Sequence, residues 1–161
     1  MAYLFDSNTI LEAKNRYYKF EVCPAFWNWL ILERKRGNVL SIEAVKSELY
    51  DPDAKQWAAS HHEFFQPNDL TRMHDVSAWV ASQIRFTSAT KNYFLSRADP
   101  RIIAYALVHG HTVVTQEVSA PKGSKVKIPD VCIGLSIPCV NTFEVLTELK
   151  ARFVLETNDE Q

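Results

Sequence analysis

Short apolar runs alternate along the chain with longer stretches in which apolar residues recur at helical spacing. Runs rich in β-branched and aromatic residues predict strands at residues 3–5, 38–41, 112–115 and 135–140. Helical spacing predicts helices between them, at residues 7–13, 25–36, 42–50, 52–68 (less regular), 76–86, 99–109 and 142–153. Because strands alternate with helices, we predict a three-layer α/β/α fold with a mostly parallel central sheet.

Polar residues and prolines mark where several of these helices begin. Ser7 or Asn8 is predicted to cap the first helix, and Ser41 the helix after the second strand. Pro100 suits the first turn of the helix that leads to the third strand. The polar stretch 117–129 is predicted to be a loop.

Composition indicates one packed domain. The chain has 161 residues, of which 47% are hydrophobic, and it has no repeat or low-complexity linker. We therefore predict a single domain over residues 1–155 and a frayed tail over residues 156–161.

Several classes of protein are disfavoured by the same sequence. An uninterrupted apolar stretch of about 18 residues would be needed to predict a transmembrane helix, and the chain has none. The first residues lack the basic and long apolar segments of a secretory signal. Cys23, Cys132 and Cys139 match neither a disulfide framework nor a zinc site, so we expect reduced thiols in a cytoplasmic protein.

Four carboxylates occupy positions at or near the ends of predicted strands. Asp6 directly follows the first strand, Glu48 lies on the helix after the second, and Glu117 comes just after the third. Asp99 begins the helix that leads to the third strand. The carboxyl ends of parallel strands face one crevice, where clustered carboxylates would need a hard cation such as Mg²⁺ or Mn²⁺. The pattern predicts a metal-dependent phosphoryl-transfer or hydrolytic site, although each acid taken alone could be a helix cap or a solvent-exposed side chain.

An ordered set of motifs resembles the PIN-domain nucleases. It comprises Tyr3-Leu4-Phe5-Asp6-Ser7-Asn8, Val45-Lys46-Ser47-Glu48-Leu49, Ala98-Asp99-Pro100-Arg101-Ile102-Ile103-Ala104-Tyr105-Ala106 and Val113-Val114-Thr115-Gln116-Glu117. The run Ile128-Pro129-Asp130-Val131-Cys132 resembles a branch of that superfamily with uncharacterised and toxin-like members. The set spans most of the chain, and the resemblance implies a PIN-like α/β fold.

The resemblance also implies roles for single residues. Asp6, Glu48 and Asp99 would bind Mg²⁺ or Mn²⁺, while Glu117 stands where many PIN domains have Asp and would act directly or through water. Asp130 is an additional or alternative ligand by this resemblance. We expect Asn8 and Thr115 to orient the carboxylates.

The activity implied is hydrolysis of RNA phosphodiesters by an endoribonuclease. Many members of the superfamily are toxins of toxin–antitoxin pairs, so the resemblance implies a protein antitoxin as partner, and it suggests a homodimer. With 18 basic and 19 acidic residues, the net charge of −1 provides no general attraction to RNA, so local basic patches are needed.

Four basic residues are candidates for contacts with RNA phosphates. Lys122 and Lys125 lie in the predicted 117–129 loop, and Arg97 and Arg101 flank the Asp99 position. A solvated loop, or pairing of the arginines with the carboxylates, explains them as well.

Two other functions compete with the ribonuclease. The opening motif also resembles that of haloacid dehalogenase phosphatases, but Asn8 stands where their second Asp must donate a proton, which an amide cannot do. The second alternative is a catalytically weak or inactive PIN-like module that binds RNA or protein. All four acidic positions are filled, which favours catalysis.

Overall fold

The computed structural model describes residues 1–156, and the part of the predicted tail at 157–161 lies outside the described residues. Five strands are present in this range: β1 (Tyr3–Phe5), β2 (Val39–Ile42), β3 (Phe65–Gln66), β4 (Thr112–Val114) and β5 (Cys139–Val140). The α-helices are α1 (Ser7–Glu12), α2 (Pro24–Lys35), α3 (Glu43–Glu48), α4 (Pro52–Ser60), α5 (Met73–Ser82), α6 (Ser88–Ser96), α7 (Asp99–His109), α8 (Ile128–Gly134) and α9 (Thr142–Glu148). A π-helical turn (Ala13–Tyr17) extends α1, and a 3₁₀ turn (His62–Phe64) precedes β3.

The five strands form one all-parallel sheet in the order β3-β2-β1-β4-β5. Tyr3 pairs with Val39 on one side and with Thr112 on the other. Every residue of β2 and β4 is buried, so helices cover both faces of the sheet, as in other parallel sheets. The predicted α/β class is confirmed. None of the described helices has the length and apolar character needed to cross a membrane.

The strand order reverses between β1 and β4. The chain moves from β1 to β2 and β3 on one side, and later returns to β4 and β5 on the other. Ligands bind at such a reversal in open α/β sheets, beyond the carboxyl ends of the strands. Asp6 and Thr115 directly follow the two strands that meet there.

The beginnings of two helices differ from the prediction. Asp6, rather than Ser7 or Asn8, caps α1, because its Oδ1 accepts a hydrogen bond of 2.7 Å from the Thr9 amide. Ser41 caps no helix; its hydroxyl donates 2.6 Å to the Phe5 carbonyl and links β2 to β1. In both cases a buried polar side chain satisfies a backbone group, an amide of α1 for Asp6 and a carbonyl of β1 for Ser41.

Several element boundaries were also wrong. The stretch 52–68 is not one helix, since it contains α4, the 3₁₀ turn and the edge strand β3. Helix α6 was missed, and α8 begins inside the predicted 117–129 loop. The predicted 135–140 strand shortens to β5, and α9 ends well before residue 153. By contrast, α7 has the predicted bounds and ends at Gly110 in the left-handed conformation, with φ of 66°.

Candidate active site

Asp6 is the most deeply buried carboxylate of the cluster. Its side chain is 2% exposed, and Oδ2 accepts a 2.6 Å hydrogen bond from the Thr115 hydroxyl. Burial raises the pKa of Asp6 to about 6, although the hydrogen bonds from Thr115 and Thr9 oppose that rise. Thr115 therefore contacts a predicted site carboxylate directly, in the position expected of an orienting residue.

Asp99 is the first residue of α7, beside the same strand ends. Burial, followed by the negative charges of Asp6, Glu117 and Glu48, raises its pKa to about 7. Within residues 1–156, neither Asp99 nor Asp6 forms a salt bridge. Neither aspartate has a cation within salt-bridge distance in the described chain, although the charge of Arg97 opposes the rise in the pKa of Asp99.

Glu48, at the end of α3, is in the opposite situation. Its Oε1 accepts 2.8 Å hydrogen bonds from Arg97 Nε and from the Ala98 amide, at the N-terminus of α7. Its Oε2 accepts from the Ser7 hydroxyl at 3.1 Å and from Arg97 Nη2 at 3.3 Å. Both oxygens of Glu48 are engaged.

Glu117 is also held by a helix terminus and a cation. Its Oε2 accepts 2.8 Å from the Ile128 amide, which begins α8, and its Oε1 lies 3.5 Å from Lys127 Nζ. The amide of Glu117 donates 3.1 Å to the Thr115 hydroxyl oxygen. Thr115 therefore connects Asp6 to the segment that carries Glu117.

A cavity of about 390 Å³ opens above the aspartates. The residues that line it are Asp6, Ser7, Asn8, Leu11, Glu12, Asn15, Arg16, Tyr50, Tyr93, Arg97, Asp99, Glu117 and Ile128. A second cavity, of about 490 Å³, is lined by Ala89, Thr90, Tyr93, Phe94, Asp99, Glu117, Lys125, Val126 and Lys127. We call them the first and the second cavity; they share Tyr93, Asp99 and Glu117.

The structure brings most, but not all, of the predicted site residues together. Asp6, Asp99, Glu117, Asn8 and Arg97 line the first cavity, and Lys125 lines the second. Glu48 lies behind Arg97 and lines neither.

Besides Glu48 and Thr115, three more predicted site residues lie outside both cavities. Asp130 is buried and accepts hydrogen bonds from the Ser119 hydroxyl at 2.5 Å and the Ala120 amide at 3.2 Å, so it anchors the loop after β4. Asp130 lines neither cavity, and its role as an additional or alternative ligand stays a prediction. Arg101 donates to the Arg97 carbonyl, and Lys122 contributes to neither cavity.

Sequence reasoning missed Tyr93, Arg16 and Lys127. Tyr93 was missed because α6 was missed. Arg16 lies three residues beyond the predicted first helix, in the π-helical turn that extends α1. Lys127 lies two residues after Lys125 in the basic part of the predicted loop, and both line the second cavity.

The donor set fits a hard cation better than a soft one. The cluster offers carboxylate and hydroxyl oxygens, which Mg²⁺ and Mn²⁺ prefer. No group of three His, Cys, Asp or Glu side chains in residues 1–156 converges closely enough to enclose a metal ion. Magnesium keeps several waters and often takes only one or two carboxylates. Asp6 and Asp99, which form no salt bridge within residues 1–156, can supply those two.

Comparison with known proteins gives one match. The model of a family described as a domain of unknown function (DUF4411) matches residues 3–153. No curated protein and no solved structure matched the chain significantly. The matched range contains both cavities and every carboxylate described above. The chain belongs to the DUF4411 family.

Proposed function

We propose that this protein is a Mg²⁺- or Mn²⁺-dependent endoribonuclease. The observation that carries the proposal is the pair of buried carboxylates, Asp6 and Asp99, at the reversal of strand order. The pKa of Asp99 is raised by burial and by the charge of Asp6, and no residue of the described chain forms a salt bridge with either aspartate. A buried pair of this kind is stabilised by a divalent cation.

Asp6 and Asp99 would hold the metal, with Glu117 and Glu48 as the nearest further carboxylates. When bound, the metal polarises a phosphodiester and lowers the pKa of water. Thr115 fixes the orientation of Asp6 through its 2.6 Å hydrogen bond. Burial of Asp6 keeps bulk water from competing for its oxygens.

Basic side chains on the rims of the two cavities support a polyanionic substrate. Arg16 and Arg97 line the first cavity, and Lys125 and Lys127 line the second. Arg97 and Lys127 are paired with Glu48 and Glu117, whereas Arg16 and Lys125 form no salt bridge within residues 1–156 and are the first candidates to contact phosphates.

The choice of RNA, the toxin role and the antitoxin partner rest on the resemblance to PIN domains. A cytoplasmic location belongs to the same proposal, and the three free thiols, Cys23, Cys132 and Cys139, suit a reducing compartment. The proposal is tested by incubating the purified chain with RNA in Mn²⁺, in Mg²⁺ and in EDTA. Cleavage that depends on the metal is expected.

A second candidate is a PIN-like binding module with weak or no catalysis. It is favoured by the state of the two glutamates: the carboxylates of Glu48 and Glu117 are occupied by helix amides and by Arg97 and Lys127. A Mn²⁺ titration followed by electron paramagnetic resonance separates the two candidates. The enzyme binds Mn²⁺ at the aspartates, whereas a binding module shows little dependence on it.

A further inference from the structure

The contacts of Glu48 differ from those of a metal ligand. Arg97 holds both of its oxygens, through Nε at 2.8 Å and Nη2 at 3.3 Å. The Ala98 amide and the Ser7 hydroxyl use the remaining acceptor capacity. If Glu48 bound a metal, its bidentate ion pair with Arg97 would break, and the Arg97 guanidinium would lose its carboxylate partner.

Arg97 in turn contacts Tyr93. Its Nη1 donates 2.9 Å to the Tyr93 hydroxyl, and the guanidinium carbon lies over the ring, 5.4 Å from its centroid. Arg97 lines the first cavity, and Tyr93 lines both. Glu48, Arg97 and Tyr93 thus form a continuous series of contacts that ends beside Asp99.

We propose that Arg97 and Tyr93 form a nucleotide-binding subsite beside the aspartates, and that Glu48 is a positioning residue for Arg97 rather than a metal ligand. Arg97 contacts a backbone phosphate, and the ring of Tyr93 stacks on the neighbouring base. This inference rests on the proposed function for the identity of its ligand, a single-stranded RNA.

The guanidinium of Arg97 has N–H groups that its contacts with Glu48 and Tyr93 do not use. It carries five N–H bonds, and the contacts with Glu48 and Tyr93 use three of them, one each from Nε, Nη1 and Nη2. Nη1 and Nη2 each keep one further N–H bond, which can donate to a phosphate oxygen.

Tyr93 has the exposure that a stacking platform requires. Its side chain is 65% exposed although it lies next to a buried carboxylate cluster. Because most of Tyr93 is exposed, a base can stack on the ring beside the Arg97 contact. Stacking of a base on an aromatic ring tolerates any sequence, since every base has a π face.

The role of Glu48 is tested by measuring Mn²⁺ affinity through the resonance of free Mn²⁺. Glu48→Gln keeps the size of the side chain and an oxygen acceptor for the Ala98 amide. We expect Asp99→Asn to weaken Mn²⁺ binding about ten-fold or more and Glu48→Gln to change it less than about three-fold. An equal loss in both variants would overturn the inference for Glu48.

The subsite is tested with a short single-stranded RNA that contains 2-aminopurine, whose fluorescence is quenched by stacking. The measurement is made without metal in an Asp99→Asn background, so that the probe is not cleaved. Tyr93→Leu should abolish the protein-dependent quenching and weaken binding about ten-fold, whereas Tyr93→Phe should keep the quenching. Arg97→Gln should reduce the slope of log K against log salt concentration by about one, because one fewer counterion is released when RNA binds.

Tyr50→Leu is the matched control, because Tyr50 lines the first cavity but forms no hydrogen bond or cation–π contact with Arg97 within residues 1–156. It should keep the quenching. Quenching and affinity that survive Tyr93→Leu would refute the subsite. If the wild-type chain cleaves RNA while Tyr93→Leu changes nothing, the inference alone fails. If binding depends on Tyr93 but no RNA is cleaved with metal present, the proposed function alone fails.

Discussion

The Thr115 hydroxyl donates a 2.6 Å hydrogen bond to Oδ2 of Asp6, across a sequence separation of 109 residues. It joins the ends of β1 and β4, at the reversal of strand order. The same hydroxyl oxygen accepts from the Glu117 amide at 3.1 Å. One side chain therefore fixes a buried aspartate and the start of the loop that carries a second acid.

Thr115→Val should destabilise the protein. The variant keeps the shape of the side chain but leaves a buried carboxylate oxygen without its donor, which costs about 1–3 kcal/mol in the free energy of unfolding. The pKa of Asp6 should rise further, because the lost hydrogen bond favours the ionised form. Urea unfolding at pH 8 measures the first effect. Thr115→Ser retains the hydroxyl and serves as the control. Equal stability of the Thr115→Val variant and the wild-type chain at pH 8 would contradict the account.

The two aspartates should make metal-free stability fall as the pH rises. Their pKa values in the folded chain, about 6 for Asp6 and about 7 for Asp99, exceed the ordinary value of 3.8. At a pH between the ordinary pKa of 3.8 and the folded pKa of about 6 or 7, the aspartates of the unfolded chain have released their protons, whereas those of the folded chain still hold them. Their favourable contribution is therefore complete below about pH 4 and is lost as the pH rises through about 6 to 7.

Asp99→Asn should consequently be more stable than the wild-type chain in EDTA at pH 8. The gain should exceed about 1 kcal/mol and should shrink as the pH approaches 4. Asp53→Asn is the matched control, because Asp53 is exposed in the first turn of α4. That variant should be slightly less stable, since it loses a favourable interaction with the helix dipole. A loss of stability in Asp99→Asn at pH 8 would contradict the raised pKa of Asp99.

Mn²⁺ should raise the Tm of the wild-type chain at pH 8 and much less at pH 5.5. A metal at a hundred times its Kd adds about 2.7 kcal/mol to the free energy of unfolding. At the lower pH, protons on Asp6 and Asp99 compete with the metal. Differential scanning calorimetry measures both values. The Asp6→Asn, Asp99→Asn double variant should show no such shift, and an equal shift in that variant would place the metal elsewhere.

Gly134→Ala should be destabilising although alanine favours helices. A Cβ at Gly134 would overlap the indole of Trp79, where α8 packs on α5. Overpacking of this kind costs about 1–3 kcal/mol. Ile133→Ala, at a 70% exposed position of the same helix, should change stability by less than about 0.5 kcal/mol. The intrinsic fluorescence of the four tryptophans in urea titrations follows both variants. An unchanged midpoint for Gly134→Ala would contradict the packing.

The sequence was most informative where local signals were strong. The apolar run before Asp6 predicted β1, and the β-branched run 112–115 predicted β4, almost to the residue. Helix α7 was predicted with its correct bounds because Pro100 marks its beginning and Gly110 its end. Helix α6 was missed because it is largely polar and buries only Phe94. Its cap, Thr87, which accepts from the Thr90 amide, was a usable signal. Helix α8 was missed because Pro129, which lies in its first turn, was assigned to the predicted 117–129 loop.

The candidate site was predictable in its carboxylates but not in their partners. Positions after parallel strands predicted where Asp6 and Glu117 lie, because such ends share one edge of the sheet. No local pattern reveals that Arg97 holds Glu48, since these residues are 49 positions apart and meet only through packing of α3 near α7. Similarly, nothing in the sequence distinguishes Asp130, which anchors a loop, from an acid that faces a cavity.

The most direct test of the central claim is RNA cleavage by the purified wild-type chain beside the Asp6→Asn, Asp99→Asn double variant and the Asp53→Asn control. We predict that the wild-type and control chains cleave RNA in Mn²⁺ or Mg²⁺ and not in EDTA, and that the double variant, folded by circular dichroism, does not cleave. Cleavage by the double variant, cleavage in EDTA, or intact RNA under every condition would contradict the account.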